Sequence, residues 1–102
     1  MAITPEFQDK FDSFYDGMIK IERDYMKKHF PNNPLDEFSY KIGRRYIKII
    51  RGTSVHAFID IMSGDVLKPA SWNAPAKYAR GNIFNKNNGL NYMTPYGPVY
   101  LK

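Results

Sequence analysis

Phe7, Phe11, Phe14, Met18, Ile21 and Tyr25 recur at spacings of 4, 3, 4, 3 and 4. Such spacing places all six on one stripe of a helix, and no other feature of the chain restricts its fold so tightly. The start is marked as well. Thr4 offers a hydroxyl cap, Pro5 suits the first helical position, and Glu6 sits near the positive dipole end. Lys27, Lys28 and His29 suit the negative end, and Phe30-Pro31-Asn32-Asn33-Pro34 stops the helix. A helix over residues 1–30 is expected, with its apolar stripe facing a core. Asp9, Lys10, Asp12, Asp16, Lys20, Glu22 and Lys27 fall off the stripe and are expected in solvent. The same spacing could form a coiled-coil seam, but the run is short and rich in Phe where such seams favour Leu and Ile.

From Phe38 the period changes from helical to alternating. Phe38–Ile42 and Arg45–Arg51 flank Gly43-Arg44, Gly52-Thr53 leads into Ser54–Met62, and Ser63-Gly64-Asp65 turns into Val66-Leu67-Lys68. Short β-branched and aromatic runs between Gly-containing turns predict an antiparallel meander of three to four strands over residues 38–68. Val55, Ala57, Ile59 and Ile61 share one face of the third run, and the long helix is expected to cover that face.

Residues 69–102 are expected to hold a short helix and a basic, aromatic tail. Pro69 closes the sheet, Asn73 and Pro75 resemble a helix start running through Ala76–Arg80, and Gly81 resembles its stop. Asn, Gly, Pro and Tyr then dominate, which predicts an irregular tail with at most a short edge strand at Val99-Tyr100-Leu101. The whole reads as one α+β domain, with no internal repeat.

Charge is divided unevenly. Residues 1–37 hold eight acids and five bases, whereas residues 38–102 hold two acids and ten bases. An anionic partner would therefore meet the second part of the chain, although positive charge can also serve solubility alone. The chain has no Cys, which excludes disulfides and thiolate chemistry. Its apolar runs fall far short of the roughly 20 residues a bilayer needs, and its first residues lack a signal-peptide pattern. A cytoplasmic protein without membrane contact is expected, as a monomer or weak dimer.

No catalytic constellation, cofactor motif or metal-ligand spacing is expected. His56 and Asp60 share a strand face, but four residues at about 3.3 Å each set them roughly 13 Å apart, too far for one ion to bridge. His56 reads as an ordinary sheet histidine and His29 as a helix-end residue; Asp36 and Glu37 diverge in a loop. The basic ending is more informative. Single strands are held by cations that track phosphates and by rings that stack on bases. Lys68, Trp72, Lys77, Tyr78, Arg80 and Lys86 supply that alternation, and the sheet adds Arg44 and Arg45, with Lys48 and Arg51. The predicted short helix near Asn73 would add free N–H groups for an anion. Against this, Trp72 and Phe84 read first as core plugs, and Asn-rich loops commonly satisfy their own backbone.

From Ser63 to Phe84 the chain reads SGDVLKPASWNAPAKYARGNIF, preceded by RRYIKIIRGTSVHAFIDI. Over about residues 40 to 84 it resembles a group of small uncharacterised proteins encoded in tailed-bacteriophage genomes. The resemblance implies a phage origin and a place in the cytoplasm of the infected bacterial host; it brings no activity or site residues with it. The expectation is a small non-catalytic phage accessory protein that binds single-stranded nucleic acid. The alternative is an effector that binds an acidic host or phage protein, or a minor virion component.

Overall fold

The computed structural model describes residues 3–98, the Tyr92 side chain excepted. Helix α1 spans Pro5–His29, and the Thr4 hydroxyl accepts from the Phe7 N–H at 3.1 Å, as its cap position requires. Strands β1 (Phe38–Ile42), β2 (Tyr46–Arg51), β3 (Ser54–Asp60), β4 (Asp65–Pro69) and β5 (Pro75–Asn82) form one antiparallel sheet in chain order. A 3-10 segment, Lys86–Tyr92, and two short strands, β6 (Met93–Thr94) and β7 (Gly97–Pro98), complete the described fold.

Phe7, Phe11, Phe14 and Met18 are buried against Ile47, Ile49, Ala57, Ile59, Ile61 and Val66. The helical stripe and the alternating strands therefore meet as expected. Two details depart from the pattern. Glu22 is fully buried, because at four residues beyond Met18 it continues the stripe. Its carboxylate accepts from Arg51 Nε at 2.7 Å and Arg23 Nη1 at 2.8 Å, which makes that position tenable. In β3 the pairing skips His56: Ile49 faces Ala57, and Ile50 faces Val55. This bulge takes Val55 out of the helix-side core and turns the His56 ring to Phe38, 5.2 Å away between centroids.

The sheet has five strands where three to four were expected, because Pro75–Asn82 is strand, not helix. The Pro and Gly signals at its ends are real but serve another purpose. Pro69 and Pro75 face each other at the loop end of the β4–β5 ladder, where a missing N–H does no harm. At the other end, a Cβ on Gly81 would lie 3.0 Å from the Gly89 carbonyl, so a close backbone approach favours glycine there. The unpaired edge of β4 recruits the segment over its modest helix propensity. The N-terminal anion site expected near Asn73 disappears with that helix.

The tail is more ordered than its composition suggests. Asn87 and Asn88 adopt left-handed φ values of 62° and 54°, which Asn tolerates well. The Asn88 amide donates to Ile83 O and the Asn87 amide to Asn91 Oδ1, so these side chains serve the turn itself. Gly97, at φ 114°, lies against the His56 carbonyl and seats the β6–β7 hairpin beside the bulge. The edge strand expected at Val99–Leu101 lies outside the described residues.

Candidate nucleic-acid interface

The face of the sheet away from α1 can be derived from the register. Tyr40 packs edge-on against Phe11 and Tyr15 of the helix, each 5.0 Å between centroids, so its neighbour Lys41 points the other way. Lys41 pairs with Lys48, Lys48 with Phe58, Phe58 with Leu67, and Leu67 with Ala79. One transverse row thus crosses all five strands on the open face, beginning with two lysines directly opposite each other. Like charges in that relation destabilise a sheet. No acidic group stands within ion-pair distance of either among the described residues.

Around this pair lies an open cavity of about 410 Å³. Tyr46 and Phe58, 6.0 Å apart in an edge-to-face contact, form its aromatic lining. Lys41, Arg44, Arg45 and Lys48 line it as cations, and Asn73 closes one side. Arg45 lies 5.5 Å from the Tyr46 ring and 3.3 Å from Asp60, which fixes it in place but half-neutralises it. Arg44 is exposed at the β1–β2 turn. Chemically, this is an anion-attracting trough with the half-buried Tyr46 ring at its wall and the buried Phe58 beneath.

Trp72 completes the rim. It is 47 % exposed, not a core plug, and stands in the β4–β5 loop with its ring 4.5 Å from Lys48 Nζ. That ammonium also donates to Asn73 Oδ1 at 3.1 Å. Phe84, the other expected plug, is 39 % exposed and touches Phe7 edge-on.

The other residues singled out in the sequence lie elsewhere. Lys68 donates to the Pro98 carbonyl at 3.2 Å and so braces the C-terminal hairpin. Lys77, Tyr78 and Arg80 stand on β5, at the sheet edge opposite β1; Lys77 approaches the Tyr78 ring, and Arg80 donates to the Tyr78 carbonyl. Lys86 is exposed in the 3-10 segment. Arg51 is held by Glu22. The trough therefore gathers Arg44, Arg45 and Trp72 but not Lys68, Lys77, Tyr78, Arg80 or Lys86. Sequence reasoning passed over Lys41, Tyr46 and Phe58. The signal for the lysines was the symmetric placement of Lys41 and Lys48 about Arg44-Arg45, which an antiparallel hairpin converts into a facing pair.

A second polar cluster is buried between helix and sheet. His56 is 3 % exposed, and its Nε2 has no hydrogen-bond partner among the described residues. Burial, aided by the charges of Arg51 and Lys68 and opposed by Glu22, lowers its pKa to about 4. The ring is neutral at pH 7. Among the described residues, no three His, Asp or Glu side chains gather where a metal could be held. No helix there is long and apolar enough to cross a membrane.

The chain belongs to a family of unknown function (DUF7717), whose model matches residues 7–96. No curated protein and no solved structure matches it.

Proposed function

We propose, taking that membership as a premise that carries no activity with it, that the chain is a non-catalytic accessory protein that binds nucleic acid. The binding face is the open side of the sheet, not the tail. One observation carries this reading: Lys41 and Lys48 face each other across β1 and β2 with no acid to neutralise them among the described residues, beside the half-buried Tyr46 ring and the exposed Trp72. A phosphate between them relieves the repulsion, and the neighbouring rings offer stacking surface. The likeness to small proteins of tailed phages supports a phage source and action in the infected cell's cytoplasm.

The test is fluorescence anisotropy with a dye-labelled oligothymidylate over a range of salt. Contacts from Lys41, Arg44 and Lys48 give a log–log slope of about −2, at roughly −0.7 per phosphate on a single strand. Lys41→Thr should weaken binding and yet leave the fold as stable or more so, by about 0.2–1 kcal/mol, because it removes the like-charge pair. Unchanged affinity in that variant, or no binding at low salt, defeats the proposal.

A second reading, docking onto an acidic segment of another protein, draws on the end of α1. There Met26, Phe30, Pro31 and Leu35 line a cavity of about 280 Å³ with Arg23 and Lys27. A partner retained from nuclease-treated bacterial lysate, and lost in Phe30→Ser, would favour it.

A further inference from the structure

We propose, resting on the nucleic-acid reading above, that the loop between β4 and β5 is a clamp for one unpaired base, with Trp72 as the stacking ring. The loop is closed on itself: the Ala74 carbonyl accepts from both the Ala70 and Ser71 N–H groups, each at 3.0 Å. Pro69 and Pro75 face each other at its base, so both entry points have a fixed φ. A loop built this way presents its apex residue in a defined place, and the apex residue is the chain's one tryptophan.

That tryptophan has no place in the core. β3 lies between β2 and β4, so the loop must lean over Phe58 for Trp72 and Asn73 to reach Lys48 on β2. Lys48 holds both of them, one by its ammonium over the ring and the other by a hydrogen bond. Nearly half of the indole's residue surface still meets solvent. An exposed indole held by a lysine, at the edge of a cationic trough, is a stacking platform already fixed in place before a ligand arrives.

The geometry also selects the ligand. Bases inside a duplex are paired and already stacked on both faces, whereas an unpaired base can give one face to a side chain. Lys41 and Arg44 on the neighbouring hairpin stand ready for phosphates of the same strand. The site therefore takes single-stranded nucleic acid, and discriminates it from duplex through Trp72 and not through its cations.

Because Trp72 is the only tryptophan, its emission reports the site directly. The full chain is titrated with unlabelled oligothymidylate, with a duplex of equal length, and with thymidine monophosphate, while anisotropy of labelled strands records binding separately. Expected is saturable quenching by the single strand, with little by the duplex or the mononucleotide. Trp72→Ala should weaken single-strand binding roughly 5- to 100-fold with the salt slope unchanged, and Trp72→Phe should recover part of the loss. Single-strand binding by anisotropy with constant Trp72 emission, or with wild-type affinity in Trp72→Ala, overturns the clamp but leaves the groove reading standing. Equal quenching by the mononucleotide overturns a strand as the ligand. Absence of binding to any strand removes both.

Discussion

Glu22 is the residue whose replacement should tell most about how helix and sheet are joined. It is fully buried, and both its oxygens are taken, by Arg51 Nε at 2.7 Å and Arg23 Nη1 at 2.8 Å. Unit charges about 4 Å apart at an effective dielectric near 20 attract by about 4 kcal/mol, and desolvating them offsets much of that. The intact pair thus contributes little net stability, whereas breaking it strands a charge. Arg51 is only 18 % exposed on its side chain, so it would be poorly rehydrated. Removing one member of such a pair costs about 3–5 kcal/mol. Asp36, 3.8 Å from Arg51 but largely exposed, offers partial compensation and places the expectation at the lower end. Glu22→Gln should therefore cost about 3 kcal/mol, a fall in Tm of roughly 12–24 °C for a domain of this size. Urea unfolding followed by circular dichroism at neutral pH measures it. The double variant Glu22→Met with Arg51→Met should recover to within about 1 kcal/mol of the parent, because no charge is then left buried. A single variant within about 1 kcal/mol of the parent, or a double variant no better than the single, would contradict a buried, mutually compensating Glu22–Arg51 pair.

Phe14→Ala should cost about 3–5 kcal/mol in the same assay, since Phe14 is fully buried among core side chains; a loss below about 1 kcal/mol would place the stripe elsewhere than in the core. His56 sets a pH dependence. Its folded pKa of about 4 lies below the ordinary 6.5, so between those values the unfolded chain takes up a proton that the folded chain refuses. Stability is full above pH 6.5 and declines as pH falls toward 4, by about 2 kcal/mol at pH 5. His56→Gln should flatten that limb relative to the parent; parallel pH profiles would contradict the assignment.

The fold was legible where local signals and packing agree. Capping by Thr4, the Phe stripe of α1 and the turns flanking β2 and β3 act over a few residues, and the core confirms them. Two misreadings share another cause. Pro75 to Gly81 carries valid helix punctuation, but the free edge of β4 and the close approach of Gly89 to Gly81 are facts of tertiary contact that no local pattern encodes. Glu22 looked solvated because its type outweighed its position on the stripe; only Arg51, far along the chain, makes it a core residue. For the proposed site, composition pointed to the basic second part, which also holds the trough. It could not say that Lys41 and Lys48 become neighbours, or that strand order sends Lys77 and Arg80 to the opposite edge.

Amide chemical-shift mapping by NMR during titration with a single-stranded oligonucleotide locates the binding face, proposed above to be the side of the sheet away from α1. Perturbations should concentrate at Lys41–Lys48, at Phe58 and in the loop from Ala70 to Ala74, with β5 and the helix end near Phe30 quiet. Perturbations centred on Lys77–Lys86, or none at all at low salt, would contradict that placement.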